Sequence, residues 1–422
     1  MEKIYIGLLG LGNVGSGFVK TLNLNKEKIS KNLGKELIIK KVLVGNLQKQ
    51  RNIDVSNFQL TNKFEDILND DDIDVVVELL GGLSPAFEYI EKSIMKGKNV
   101  VTANKAVVST YSKELYETCS KGNSALKFEA SVGGGIPIIN TITGNLSSNK
   151  ITKVMGIING TTNFILTQMK ENKMDFQEAV KLAQKKGYAE ADPTSDLEGE
   201  DAVYKLSIIS NIAFGKRINP KDIPCRGINN INQEDIKYAE ELGYVIKLLA
   251  IGDNSRENLE LSVEPTFISE DHPLASVKNE FNSIFVEGNS LGEVMMYGKG
   301  AGAMPTGSAV LTDLINIYKC NSKENLLSNK IGKISSSCNS KHRYYIRLEV
   351  VDTSGVLGQI AGYFGDQNIS IESVVQKNSY GKTVPLIFLT HETSKENLIE
   401  ASKKIESFES VIGIENIIRI LN

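Results

Sequence analysis

Residues 3–9 are rich in Ile, Leu and Tyr and run straight into Gly10, Leu11, Gly12, Asn13, Val14 and Gly15. A buried strand that ends in GxGxxG and opens an amphipathic helix is compatible with few architectures. Gly10 permits the tight turn, Gly12 lets the backbone approach a pyrophosphate, and Gly15 allows close helix packing. The free amides of the following helix then face the negative charge. A plain glycine-rich turn is the competing reading, and it accounts for neither the strand before nor the helix after.

A second apolar strand, residues 37–44, should end near an adenosine ribose, where an acidic residue would mark NAD. None stands there. Gly45 and Asn46 are followed by Lys49 and Arg51, which either hold a 2′-phosphate or form an ordinary basic loop. Strands at 75–80 and 99–102 end in Glu78, Gly81 and Gly82, and in Thr102, Ala103, Asn104 and Lys105. Both ends point at the crevice where doubly wound sheets bind ligands.

The segment GYAEADPTSDLEGEDAVYK, residues 187–205, gathers carboxylates and one lysine. Asp201 and Lys205 are four residues apart, on one face of a helix, and Ser195 with Glu198 fits a capping box that would start that helix. Glu190 lies in the loop before it. On spacing alone an Asp and a Lys of this kind form a solvated pair contributing about 0.2 to 0.5 kcal/mol. Directed into one pocket, the same groups could hold a small amino acid and pass a proton. The three histidines, His272, His342 and His391, lie outside every glycine-rich or carboxylate-rich block, which leaves lysine as the proton carrier.

A formal net charge of −3 over 422 residues points away from nucleic acid and anionic membrane partners, and no apolar run approaches the roughly 20 residues of a membrane span. Cys119, Cys225, Cys320 and Cys338 are far apart with no CxxC, so four free thiols in a reducing, cytoplasmic setting are expected.

Further along, EASVGGGIPII joins a strand end at Glu129 to a triple-glycine turn that exposes backbone carbonyls. A strand at 153–158 leads through Asn159, Gly160, Thr161, Thr162 and Asn163 into a helix, and strands at 245–251, 259–266 and 283–287 suggest a mixed sheet. The turn 297–305, containing Gly302, opens a helix at 306–317 that should return to the first domain. Residues 321–341 read as a linker. Beyond it the pattern is βαββαβ, a ferredoxin-like unit.

Taken together, GLLGLGNVGSG, VELLGG, VTANKAVV, EASVGGGIPII, GIINGTTNFIL, the acidic block and YGKGAGAMPTGSAVLTDL resemble homoserine dehydrogenases that carry a C-terminal ACT domain. The resemblance covers nearly the whole chain. It implies an α/β protein: a Rossmann-type nucleotide-binding domain (1–135 plus about 300–320), a mixed α+β substrate and dimerisation domain (136–299), the linker, and an ACT domain (342–422). It implies interconversion of L-homoserine and L-aspartate 4-semialdehyde with NADP or NAD. Lys205 then resembles the catalytic lysine, Lys105 a second active-site lysine, and Asp201 and Glu190 the substrate carboxylates, with Asp196 and Gly160 beside them. Gly10, Gly12, Asn13, Val14, Gly15, Lys49, Arg51, Thr102, Lys105 and Gly302 fall to the cofactor. Glu129 with the backbone of Val132, Gly134 and Ile136 looks like a sodium site. Many relatives carry Arg where this chain has Gly45, so NAD and NADP both stay open. A homodimer or homotetramer and a threonine effector at the ACT turn 352–355 are also implied. The competing reading is an amino-acid sensor built on an inactive dehydrogenase scaffold.

Overall fold

The computed structural model describes residues 2–255, 259–320, 325–334, 340–377 and 382–421. The side chain of Cys320 and the whole of Cys338 lie outside the described residues, as do parts of the expected linker. The chain forms two compact units. The first comprises Met1–Ile158, Ala202–Ile223 and Phe281–Gly332, and the second Asn159–Asp201, Pro224–Glu280 and Lys333–Asn422. The stretch 136–299, read from the sequence as one domain, is divided between them.

In the first unit β1 (Glu2–Leu9), β2 (Lys35–Leu43), β3 (Gln59–Thr61), β4 (Ile73–Glu78), β5 (Asn99–Thr102) and β6 (Leu126–Lys127) form an all-parallel sheet in the order β3-β2-β1-β4-β5-β6. The order reverses between β1 and β4, the switch point at which doubly wound folds bind ligands. Burial on both faces explains why β1 and β4 read as nearly continuous apolar runs. The helices Asn13–Leu24 and Ala303–Cys320 cover one face, and Phe18, Val19, Leu22, Val310, Leu311 and Leu314 join the strand side chains in one core. The second helix begins three residues before the start expected from sequence. The strands Ile151–Ile157, Phe281–Gly288 and Gly292–Lys299 add an antiparallel sheet to this unit.

In the second unit the hairpin Tyr244–Asp253 and Glu260–Ser269 carries helices Gly160–Asn172, Phe176–Lys185 and Gln233–Glu241. The βαββαβ pattern is realised by strands Lys341–Val351, Ile371–Gln376, Thr383–Thr390 and Val411–Ile420 with helices Val356–Asp366 and Lys395–Ile405, around a core of its own.

The ferredoxin-like sheet continues into the hairpin, because Val411–Ile420 pairs in parallel with Glu260–Ser269, with Arg419 opposite Thr266 and Ile420 opposite Phe267. The described parts of 321–341, read from the sequence as a linker, are docked. Leu327 is buried, Ser328 N donates to Asn211 Oδ1, Arg217 N donates to Lys330 O, and Gly332 N donates to Arg217 O. A polar, weakly patterned segment hides such docking, because the backbone rather than side-chain periodicity makes it. Among the described residues no helix is long and apolar enough to cross a membrane.

Candidate active site

The glycine loop has the geometry its sequence implies. Gly10 adopts φ +97°, and a Cβ there would stand 2.8 Å from Leu79 O; a Cβ on Gly15 would stand 2.3 Å from Gly10 O. At Gly12 no atom among the described residues lies within 4 Å of where a Cβ would be. Gly12 is also the N-cap of the helix Asn13–Leu24 and has no side chain with which to cap it, so the first helical amides, Asn13 and Val14 among them, suit a phosphate. These features fit a dinucleotide. Past β2, Arg51 folds back on its own loop, donating to Lys49 O at 2.7 Å and Asn46 O at 2.6 Å, while Lys49 is exposed.

The ends of β4 and β5 are tied by a buried network. Thr102 Oγ1 donates to Glu78 Oε2, Leu80 N donates to Glu78 Oε1, and Asn104 donates through its backbone to Thr102 Oγ1 and through its side chain to Gly82 O. Burial pushes the Glu78 carboxyl up to about 7 against the opposing pull of these donors. The hydroxyl of Thr102 is thus taken up in holding the strand ends. Asn104 in turn caps the helix Lys105–Thr110, accepting from Val107 N, and fixes Lys105 at its first turn.

Five glycines not singled out by the nucleotide fingerprint hold the surrounding backbone. A Cβ on Gly17 would stand 2.0 Å from Ala303 O, and one on Gly307 2.5 Å from Phe18 N, so the two helices cross in backbone contact. Likewise Gly134 (φ +55°) meets Gly300, and Gly135 N donates to Lys299 O, which brings VGGGIP against the turn containing Gly302.

Beneath this junction lie two buried carboxylates. Glu129 accepts from Ile139 N and Asn140 N at 2.8 and 2.6 Å; its own N–H donates to Asp313 Oδ2 at 2.7 Å, and Asn140 Nδ2 donates to Asp313 Oδ1. Burial, then the neighbouring Asp313, raises Glu129 to about 7, and burial raises Asp313 to about 6. No cluster of three or more acidic, His or Cys side chains suited to a metal occurs among the described residues. The turn of Val132, Gly134 and Ile136 follows directly, with Val132 N donating to Glu129 O at 3.2 Å.

Lys205 sits half-buried on the helix Glu200–Phe214, its Nζ donating to Ile158 O at 2.8 Å, just past the strand Ile151–Ile157. Two residues further on, Ser207 Oγ meets Ser109 Oγ at 2.6 Å, both buried. That contact joins the helix opening at Lys105 to the helix bearing Lys205.

In the second unit, Asn159 caps the helix Gly160–Asn172 by accepting from Thr162 N at 2.9 Å. Its Nδ2 donates to Asp196 Oδ1 at 2.7 Å and to Asp201 Oδ2 at 2.9 Å. Asp201 is 6% exposed. Glu190 is exposed in the preceding loop. The expected capping box at Ser195 and Glu198 does not form. Asp192 instead accepts from Thr194, a short helix Thr194–Leu197 follows, and Gly199 at φ +88° ends it before the helix Glu200–Phe214 begins. Only a residue free to take positive φ makes that break cheap, so the helix starts after the glycine.

Sequence reasoning named Asp196 and Asp201 but missed Asn159, which brings them together. Its one signal was an Asn between a strand and a helix, the place of an N-cap.

Comparison with known proteins covers the whole chain. Family models described as "Homoserine dehydrogenase, NAD binding domain", "Homoserine dehydrogenase" and "ACT domain" match residues 10–129, 137–315 and 344–410. Homoserine dehydrogenase of Bacillus subtilis (strain 168) is 38% identical over 428 residues, spanning 100% of this chain and 99% of that protein. The crystal structure of a homoserine dehydrogenase from Thiobacillus denitrificans superimposes with a TM-score of 0.95 at 39% identity, over 100% of this chain and 99% of that one. A hyperthermophilic archaeal homoserine dehydrogenase in complex with NADPH superimposes with a TM-score of 0.64 at 26% identity, over 77% of this chain and 99% of that one.

Proposed function

The chain belongs to the homoserine dehydrogenase family, and on that premise we propose that Lys205 exchanges the proton of the reaction while Asp201 and Glu190 hold the substrate. The protein is an NAD(P)-dependent oxidoreductase that interconverts L-homoserine and L-aspartate 4-semialdehyde. The observation that carries the assignment is the Ser109–Ser207 hydrogen bond, which links the helices of the two lysines.

The bound nicotinamide supplies the hydride acceptor for homoserine oxidation. The protein must orient the alcohol and manage one proton. Neutral Lys205 takes the hydroxyl proton as the C–H bond is lost, and in the reverse direction its ammonium returns that proton to the nascent alkoxide. Lys105, fixed by the Asn104 cap, positions the reacting oxygen. Asp201, oriented with Asp196 by Asn159, and Glu190 take the substrate's ammonium and hydroxyl; Gly160 leaves room beside them.

Gly10, Gly12, Asn13, Val14 and Gly15 hold the pyrophosphate, with Thr102, Lys105 and Gly302 nearer the nicotinamide. The exposed Lys49 of the basic loop, and the NADPH complex of the archaeal relative, support NADP as a cofactor alongside NAD, with Arg51 bracing that loop. A sodium ion at Glu129, Val132, Gly134 and Ile136 would offset the Glu129–Asp313 charge. Threonine is the effector at the ACT turn 352–355, where Gly355 at φ +96° precedes the helix Val356–Asp366. The working form is a cytoplasmic homodimer or homotetramer serving threonine and methionine synthesis. The inactive-scaffold reading has no support in the site, since both lysines, Asp201 and all three fingerprint glycines are present.

The test is direct. Purified protein with L-homoserine and NADP⁺ or NAD⁺ should generate reduced cofactor. Lys205→Ala should lower kcat by about 10² to 10⁴ fold, and Glu190→Ala should act chiefly on KM. Near-native turnover of Lys205→Ala would refute the assignment.

A further inference from the structure

Within the second unit, the helix Lys395–Ile405, the strands Val411–Ile420 and Glu260–Ser269, and residues 224–226 enclose a cavity of about 240 Å³. A small extension of it reaches Ser262 and His342. Arg226, Arg419 and Lys395 line the cavity against a single carboxylate, Glu264; the extension adds Glu260. Glu264 pairs with Arg419 Nη1 at 3.7 Å and with Lys395 Nζ at 3.8 Å, both longer than hydrogen bonds, so two cations share one carboxylate.

Three buried donors at this place have no partner among the described residues: Arg226 Nε, Arg419 Nε and Ser262 Oγ, on a residue 8% exposed. Native proteins leave few such groups; the two arginine donors on the cavity and the serine donor on its extension call for an acceptor. Val263, Leu398 and Ile399 supply an apolar wall. The volume is below the roughly 300 to 1,000 Å³ of sites for drug-sized ligands, which favours a small metabolite over a nucleotide.

We propose that this cavity binds a small aliphatic α-amino acid, with its carboxylate on Arg226 and Arg419, its ammonium toward Glu264 and its side chain on the apolar wall, and that occupancy is transmitted to Asp196 and Asp201. The route is a braced backbone. Arg226 N donates to Val263 O, Cys225 Sγ to Glu198 O at 3.1 Å, and Ile228 N to Leu197 O at 2.9 Å. A Cβ on Gly227 would stand 2.0 Å from Leu197 O, so residues 224–228 cannot shift without moving residues 197–199, which separate the two aspartates. This site is distinct from the ACT turn 352–355.

Cys225 is free, exposed and part of the lining, so it reports occupancy. L-threonine, L-valine and L-methionine are titrated calorimetrically into the full chain, and N-ethylmaleimide alkylation of Cys225 is followed by peptide mass spectrometry. At least one probe should bind and, at ten times its Kd, slow Cys225 alkylation about tenfold. Arg419→Met should weaken binding by about tenfold or more, with Arg419→Lys retaining more of it. The bound probe should shift KM for homoserine about fivefold, with less change in kcat. Binding by none of the three, binding without protection of Cys225 (as at the ACT turn alone), or binding unaltered in Arg419→Met overturns the site. Protection with no kinetic change overturns the transmission. Should Arg419→Met fail to fold, as judged by circular dichroism, the Arg419→Lys and protection measurements decide.

Discussion

Asn159 uses both ends of its amide, the oxygen to cap a helix and the nitrogen to draw Asp196 and Asp201 together. Asn159→Asp would keep the cap acceptor but set a third carboxylate against two others. Its KM for homoserine should therefore rise by about tenfold or more with a smaller fall in kcat, measured by steady-state kinetics. Glu129 and Asp313 bear on pH instead. Burial raises both carboxyls in the folded state, and Asp313 adds to the rise of Glu129, so over the interval from the ordinary carboxylate range to about 7 the folded protein holds more protons than the unfolded one. That contribution to stability is complete at the acid end and is lost as pH rises through the folded values. Lys247, lowered to about 7 by burial, acts with the opposite sign and above that interval, so the two effects separate. The urea midpoint should fall between pH 5 and 7.5 by more in the wild type than in Glu129→Gln, and Na⁺ but not tetramethylammonium should restore it at the upper end. An unchanged slope in Glu129→Gln would remove the basis for the cation. Charged residues in dense motifs, such as Lys105, Asp201 and Lys205, were legible in the sequence. Asn159 was not, because an uncharged cap looks like any loop residue until its partners are folded around it.

The elements are fixed by close approaches as much as by apolar periodicity. Gly17 and Gly307 let the helix Asn13–Leu24 and the helix Ala303–Cys320 touch backbone to backbone. Gly17→Ala should cost about 1 to 3 kcal/mol in urea unfolding and weaken cofactor binding, since the displaced helix carries the phosphate loop. Normal affinity in a destabilised variant would uncouple the crossing from the loop. Strands β1, β2, β4 and β5 and the βαββαβ unit could be read from strand and helix periodicities to within about three residues, whereas β3, three residues long, could not. The start of the helix carrying Lys205 could not, because two acceptable cap patterns, at Asp192 and at Ser195, compete within four residues and the φ of Gly199 decides between them.

At the scale of the molecule, the ACT part and the hairpin Tyr244–Asp253 and Glu260–Ser269 belong to one compact unit. Arg347, on the ACT strand Lys341–Val351, is 2% exposed and reaches Asp235 at 2.9 Å and Glu234 at 2.7 Å, while Asn416 and Tyr345 also donate to Asp235. Removing one partner of a buried pair strands the other, so Arg347→Leu should cost about 3 to 5 kcal/mol, read as a lower urea midpoint. A cost under about 1 kcal/mol would mean that Asn416 and Tyr345 alone satisfy Asp235. Periodicity could not reveal this fusion of ACT sheet and hairpin, because each half has a complete pattern of its own and the strand pairing that joins them is short, Arg419 with Thr266 and Ile420 with Phe267.

The pairing of Arg419 and Ile420 with Thr266 and Phe267 has a bearing on biosynthesis. A ribosome adding about 5 to 20 residues per second needs on the order of ten seconds to travel from one partner to the other. Throughout that interval the hairpin's outer strand offers Leu261, Val263 and Ile268 to other nascent chains, making this rim the spot where overexpression would first drive the polypeptide into inclusion bodies.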